Sequence, residues 1–379
     1  MVSPPSNNRP PARVCAALAL ALVALCASAA GAQAGTYGST PVSISSGTGG
    51  SAPNGSSGEP AVSGDNRSVR FVAYSSDATN LVKGDHNSAR DVFAWFRPSR
   101  GFPRGLRSGR LERVSVGRAG EANGDSSNPS VDGSMVNRPH CVAFQSTATN
   151  LSPKDALPDS DIYVRDLRRK RTVLVSNGIA GNAINPSIAG NCKKILFEAG
   201  GKLYWSRVGA GAPRSLGAGS TPRYSRDGKS IAFARSGHVY FQHGGFKRKL
   251  GTGSEPRVSD YADSHGWAVA YNSAGNVMVG IVNRGRKSIQ TAARNAVVGG
   301  VTSRAAHRGI VVWARRHALY YLNRNTGNSD DLAYGNSQIS EIDSSARANL
   351  IAFASAGGEN FIDARGNTRK SVYVKWLPK

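Results

Sequence analysis

The amino-acid sequence predicts an all-β protein, a seven-bladed β-propeller of four-stranded antiparallel blades. Three observations predict it. A short strand ending in an aromatic recurs along the chain, the recurrences fall about forty residues apart, and the last unit lacks a strand that the beginning of the chain can supply.

The recurring strand reads Phe71-Val-Ala-Tyr74, Cys141-Val-Ala-Phe144, Lys194-Ile-Leu-Phe197, Ser230-Ile-Ala-Phe233, Ala268-Val-Ala-Tyr271, Ile310-Val-Val-Trp313 and Leu350-Ile-Ala-Phe353. Its aromatics are separated by 70, 53, 36, 38, 42 and 40 residues, so the first two units carry insertions. A Pro-x-hydrophobic segment opens the first five units at Pro60, Pro129, Pro186, Pro222 and Pro256. Polar turns follow, such as Arg226-Asp227-Gly228-Lys229, where Asp-Gly supplies the positive φ of a tight hairpin. Third strands are expected to start at Asp91, Asp161, Lys202, His238, Asn276, Ala318 and Ser371. A weaker fourth strand closes the unit, as at Arg113–Val116 and Thr172–Ser176. The seventh unit stops near Trp376, and Pro41-Val-Ser-Ile-Ser45 has the missing pattern. Pairing it there closes the ring and removes free sheet edges. The expected blades span about 55–117, 125–177, 183–217, 220–251, 254–291, 297–334 and 338–376, the last completed by 41–45.

The repeat Ser225-Arg-Asp-Gly-Lys-Ser-Ile-Ala-Phe233, with its Pro-x-hydrophobic-Ser opening and following Val-Tyr strand, resembles the WD-like repeats of the TolB-type propellers of exported bacterial proteins. The likeness covers nearly all of 41–376 and implies the fold, since the same repeat serves many partners. Ser76-x-Ala78-Thr-Asn80-Leu81 and Ser146-Thr-Ala148-Thr-Asn150-Leu151 look like the extended repeat of secreted bacterial proteins. TolB proteins proper add an N-terminal α/β domain that docks on envelope partners. Here the first blade begins too early to leave room for it, so the resemblance implies the propeller without that docking role.

Residues 1–34 read as a signal peptide: Arg9 and Arg13 precede an apolar run from Val14 to Ala27, and Ala32-Gln33-Ala34 fits signal peptidase. The mature chain, 35–379, is expected in the periplasm or outside the cell, with no segment after residue 34 suited to spanning a membrane. It keeps two cysteines, Cys141 and Cys192, in an oxidising compartment, which favours a bond between neighbouring blades.

Chemistry-bearing patterns are sparse. Asp85, Asn87 and Asp91, with Asp155 and Asp161 seventy residues on from two of them, offer oxygens to Ca²⁺. They lack the glycine-centred spacing of a calcium loop, and capping of the loop's own amides is the preferred reading. The seven histidines have no zinc spacing, no Gly-x-Ser-x-Gly elbow follows residue 34, and paired glutamates are scarce. No cofactor and no enzymatic activity are expected; the alternative is a hydrolase or lyase acting on a glycan at the channel mouth.

Charge carries the functional expectation. The net charge is +24, from 48 Lys plus Arg against 24 Asp plus Glu. Turns between third and fourth strands concentrate it in Arg97, Arg100, Arg104 and Arg107, then Arg165, Arg168, Arg169, Lys170 and Arg171, then Lys247, Arg248 and Lys249, then Arg284, Arg286 and Lys287. Turns between first and second strands share that face and add Arg67, Arg138, Lys193, Arg226, Lys229, Arg304 and Arg308. Acidic residues such as Asp77, Asp125 and Glu255 fall mostly on the other face. The expectation is a monomeric scaffold that binds a protein or an anionic envelope polymer through one face. Nucleic acid is disfavoured, because few aromatics interleave with the basic turns.

Overall fold

The computed structural model describes residues 40–377 of the unit Gly35–Lys379, apart from 66–68, 99–108, 135, 156, 263–264, 303–308, 336, 346, 358–360 and 365. Seven antiparallel sheets of four strands follow one another along the chain. Blade one is Ser57–Val62, Phe71–Ser76, Asp91–Phe96 and Arg110–Arg113; blade two is Ser126–Val131, Cys141–Ser146, Asp161–Asp166 and Arg171–Leu174. Blade three is Ala183–Ile188, Lys194–Ala199, Lys202–Arg207 and Ala210–Ala218. Blade four is Ser220–Tyr224, Ser230–Arg235, His238–His243 and Phe246–Thr252; blade five is Ser254–Val258, Trp267–Ser273, Asn276–Val282 and Lys287–Ala293. Blade six is Val297–Val301, Ile310–Arg315, Ala318–Asn323 and Ser329–Tyr334. Blade seven takes Ser340–Ser344, Leu350–Ser355 and Ser371–Trp376 from the end of the chain and Val42–Ser43 from its beginning.

That closure is the one expected from sequence: Val42 faces Val374 and Ser43 faces Tyr373. The amide of Ile44 extends it by donating to the Val372 carbonyl at 2.9 Å, and Val372 donates to Ser45 Oγ at 3.0 Å. The fourth strands of blades one and two lie earlier than expected, at 110–113 and 171–174. In blade one the chain leaves the sheet after Arg113 because Ser115 turns its hydroxyl onto the third strand, bonding both Asp91 and the amide of Val92.

The recurring aromatic lies inside each second strand, which runs two residues beyond it, and it has a structural cause. It faces an aromatic of the third strand directly across the ladder in blade after blade: Tyr74 and Phe93, Phe144 and Tyr163, Phe197 and Tyr204, Phe233 and Tyr240, Trp313 and Tyr320, Phe353 and Tyr373. Their ring centroids lie 5.6–6.0 Å apart, the separation at which offset aromatic pairs add attraction beyond burial. Blade five departs, with Met278 opposite Tyr271. The apolar core lies between blades rather than within them. Val62, Val72 and Phe93 of blade one pack with Leu350, Val372 and Val374 of blade seven, while Phe71 and Val92 pack with Val142 and Phe144 of blade two.

The recurring prolines mark a bulge in the innermost strand. Glu59, Asn128, Asn185, Thr221, Glu255 and Glu341 have φ between 46° and 55°, and the ladder register shifts at each. A bulge has no ladder bond for the following proline to forfeit, which is why Pro60, Pro129, Pro186, Pro222 and Pro256 are accommodated there. The amides freed at the bulges stitch neighbouring blades together. Glu59 donates to Glu341 Oε2 at 2.8 Å, Asn128 to Glu59 Oε2 at 2.8 Å, Asn185 to Gln145 Oε1 at 3.0 Å, and Thr221 to Glu198 Oε2 at 2.6 Å.

Candidate functional site

In a blade whose strands run from axis to rim, hairpins between first and second and between third and fourth strands share one face. The remaining loops share the other. On the second face, the long loops of blades one and two hold the residues that the sequence offered to a cation. In blade one their oxygens are turned on a guanidinium instead. Arg113 reaches Asp85 Oδ1 at 2.9 Å, Asp91 Oδ2 at 3.2 Å, Glu121 Oε1 at 2.9 Å and the Gly84 carbonyl at 2.8 Å. Asn87 bonds Asp91 and the Ala122 carbonyl through its amide nitrogen and accepts from the amide of Ala89, the capping role.

Blade two has Leu174 in the register place of Arg113. Here Tyr163 donates to Asp155, and Ser176 donates to Asp161. Burial raises the Asp161 carboxyl to about 6, against the pull of the Ser176 hydroxyl and with help from Asp155 and Asp159. The two loops match in sequence and differ in chemistry: one is an ion-pair network, the other a set of half-buried acids.

Cys141 and Cys192 are bonded, with Cα atoms 5.9 Å apart. Cys141 opens its second strand, while Cys192 sits just ahead of the next blade's second strand, in a turn with φ of 58°. Asp132 Oδ1 holds this corner by accepting from the amides of His140 and Cys141 at 2.8 and 2.9 Å. Donor atoms of Asp132 and His140 lie within 4.8 Å of the two sulfurs, which are committed to each other.

The basic residues divide into spent and unspent. Arg100, Arg104, Arg107, Arg67, Arg304 and Arg308 lie outside the described residues. Arg97 is half-buried, its guanidinium 5.5 Å from the ring centroid of Trp376. Arg165, expected on the basic face, is only 7% exposed. It belongs to a third strand, not a turn, and bonds the Val116 carbonyl and Thr172 Oγ1. Arg168, Arg169, Lys170 and Arg171 are exposed, and two of them are paired: Arg169 with Asp166 at 3.0 Å, and Lys170 with Glu112 of blade one, which Arg110 also holds.

Lys247, Arg248 and Lys249 lie on the outermost strand of blade four rather than in its turn, which is Gly244-Gly245. They meet Arg284, Arg286 and Lys287 of blade five: Arg248 donates to the Arg284 carbonyl at 3.2 Å, and Lys287 Nζ to the Lys249 carbonyl at 3.0 Å. Lys247 Nζ lies over the rings of Phe233 and Tyr240 at 5.1 and 5.2 Å. Among the described residues, none of these six cations forms an ion pair with a carboxylate.

All seven innermost strands line an axial cavity of about 220 Å³. At the end facing the first-to-second-strand turns, Gly64, Gly133 and Gly190 approach so closely that a Cβ on Gly64 or Gly190 collides with the Gly133 carbonyl. Arg226 completes this collar. The sequence placed it on the basic face, yet it crosses the axis from blade four to bond the carbonyls of Val131 and Val62 and to pair with Asp260 at 3.4 Å. Its direction follows from those acceptors, which no outward rotamer reaches. Asp260 is nonetheless raised to about 7, since its burial outweighs the pull of Arg226.

Further into the cavity stand Arg223 and Arg257, which the charge reading passed over. The signal was present in the repeat: aligned on their prolines, the first five units carry Ala61, Ser130, Ser187, Arg223 and Arg257 at the next position. No protein-family model matches this chain, and no curated protein matches it at a significant level. The likeness to TolB-type propellers therefore rests on the repeat motifs, and the fold on the seven sheets themselves.

Proposed function

We propose that this protein is an exported, non-catalytic scaffold that holds an anionic partner, an envelope polymer or the acidic face of a protein, against the rim of blades four and five. The observation that supports it is the group of six cations, Lys247, Arg248, Lys249, Arg284, Arg286 and Lys287, with no carboxylate partner among the described residues. Like charges gathered without counter-charges cost stability, and they raise the local concentration of anions and the rate of their capture. The Cys141–Cys192 bond agrees with an oxidising compartment, as does the apolar N-terminal run. Among the described residues no helix is long and apolar enough to cross a membrane.

Retention on a heparin resin, used as a model anionic polymer, tests the reading. Lys249→Glu with Arg286→Glu is expected to elute at markedly lower salt than the parent. Arg168→Glu with Arg169→Glu, on blade two, is expected to shift elution less. Equal shifts would assign retention to net charge alone and remove the case for this rim.

A further inference from the structure

We infer that the axial cavity is a binding site for a small oxyanion, carboxylate or phosphate in chemistry, held between the guanidinium groups of Arg223 and Arg257. The argument starts from the position that these two residues share. In register, Ala61, Ser130, Ser187, Arg223, Arg257, Gly300 and Asp343 are equivalent, one per blade, each facing the second strand one step beyond the bulge.

Where that position carries an acceptor, it fastens the next blade. Ser130 Oγ accepts from the amide of Ile188 at 3.1 Å, Ser187 Oγ from Tyr224 at 2.9 Å, and Asp343 Oδ2 from Val62 at 2.7 Å. A guanidinium has five donors and no acceptor, so Arg223 and Arg257 cannot make this bond. Four blades lack this fastening: Ala61 and Gly300 carry no polar side chain there, and Arg223 and Arg257 place two positive charges on the cavity wall. Departures from a local rule without structural return are where function is expected.

Each carboxylate that lines the same cavity has another partner: Glu341 and Glu59 accept the bulge amides of Glu59 and Asn128, Asp343 accepts from Val62, and Asp260 pairs with Arg226. Among the described residues Arg223 makes no ion pair and donates no side-chain hydrogen bond, and Arg257 reaches only the Pro256 carbonyl, at 3.5 Å. The third arginine, Arg226, is occupied by its carbonyls and Asp260. Asp343, which accepts from the Val62 amide, and Glu255 both act to stabilise the charged form of Arg223, and burial outweighs them. Burial, reinforced by Arg257, lowers the guanidinium of Arg223, a residue that keeps part of its surface exposed, to about 9.

Size selects the ligand. Ala61, across the ring in blade one, puts only a methyl group at this position, and the cavity volume is about 220 Å³. That admits a tetrahedral oxyanion or a short carboxylate with its hydration. Guanidinium forks match the oxygen spacing of both groups. The site is separate from the rim of blades four and five, so failure of either reading leaves the other standing.

Calorimetry and thermal unfolding with inorganic phosphate, against chloride at equal ionic strength, test the inference. Saturable binding of one phosphate per chain is expected. Arg223→Gln and Arg257→Gln should each weaken it roughly ten- to a hundredfold, the size of a lost charge-assisted hydrogen bond. Each variant, without phosphate, should unfold at the same or a higher temperature than the parent, because like-charge repulsion is relieved. Lys249→Glu with Arg286→Glu should leave phosphate affinity unchanged. Succinate in place of phosphate, and an acidic peptide ending in a free carboxylate, separate a free ion from an anionic group on a larger partner. Absence of saturable binding by all three probes, or binding unaffected by both arginine variants, overturns the site. So does loss of stability in both variants, which would make the arginines structural.

Discussion

Blades one to three and blades four to five are built on the same four-strand plan and differ in how much of their charge the fold uses. In the first region several cations are held within the fold, Arg113 by three carboxylates, Lys170 and Arg110 by Glu112, Arg165 by a carbonyl and a hydroxyl, while Arg168 and Arg171 stay exposed. A disulfide ties blade two to blade three. In the second region the strands are joined by short hairpins, and among the described residues the six rim cations, with Arg223 and Arg257 of the cavity, form no ion pair with a carboxylate, while Arg226 pairs with Asp260. A net charge of +24 is therefore a poor guide to where binding occurs. What matters is the charge left over once the fold has used its share.

The disulfide should give the largest effect. Cys141→Ser with Cys192→Ser frees a loop of 51 residues, and the chain-entropy model puts the loss at about 4 kcal/mol. Urea unfolding of the parent and variant measures it. A loss below about 1 kcal/mol would mean that core packing alone holds blades two and three together, and the contrast between regions would lose its covalent half.

Next is Arg113. Removing one member of a buried charged network leaves the others unpaired, at about 3–5 kcal/mol. Glu121 keeps 25% of its side chain exposed, so Arg113→Ala should sit at the low end, about 3 kcal/mol. Substituting Asn for both Asp85 and Asp91 in the same background should recover part of that loss. If it recovers none, the network is held by the Gly84 and backbone contacts and not by its charges.

Much of this architecture was legible in the sequence because its causes are local. The recurring aromatic of each second strand announces a cross-strand pair, and Pro60, Pro129, Pro186, Pro222 and Pro256 announce a bulge. Even the closure by residues 41–45 could be read, since the last unit was visibly one strand short. Charge assignment was harder, because it turns on where a strand ends and which way a side chain leaves it. Arg165 reads as a turn residue, yet the third strand runs to Asp166 and carries Arg165 toward blade one. Arg226 reads as an exposed turn residue, yet its acceptors lie across the axis in blades one and two. Arg223 and Arg257 acquire meaning only when the units are compared column by column, because their role lies in departing from the serines and small residues around the ring.

A smaller effect is read in blade two through pH. The Asp161 carboxyl, raised to about 6 in the fold from its ordinary 3.8, is better protonated there than in the unfolded chain. The folded state therefore binds more protons between those values, and stability falls as pH rises from about 4 to about 6. Asp161→Asn removes the group and should flatten that part of the stability curve while leaving stability below pH 4 nearly unchanged. Burial raises Asp91 as well, despite Arg113, so Asp91→Asn should likewise leave the acid end of the curve nearly unchanged and act only where the carboxyl is ionised. Identical pH profiles for the parent and Asp161→Asn would show that Asp161 ionises in the fold as readily as in the unfolded chain.

The smallest expected effect is the one whose sign matters most. Lys170 is paired with Glu112 and its side chain is 56% exposed, so Lys170→Ala should cost no more than about 0.2–1 kcal/mol. Lys249 is exposed among like charges, with Lys287 against its carbonyl. Truncating it to alanine removes repulsion, so Lys249→Ala should stabilise the fold slightly at low ionic strength. Salt reverses the roles. Screening weakens both the attraction at Lys170 and the repulsion around Lys249, so the two variants should converge on the parent as salt is raised, one from below and one from above. Urea midpoints at low and high salt decide it. If Lys249→Ala lies below the parent at low salt, its charge is satisfied within the molecule, and blades four and five would be spending their cations much as blades one and two do.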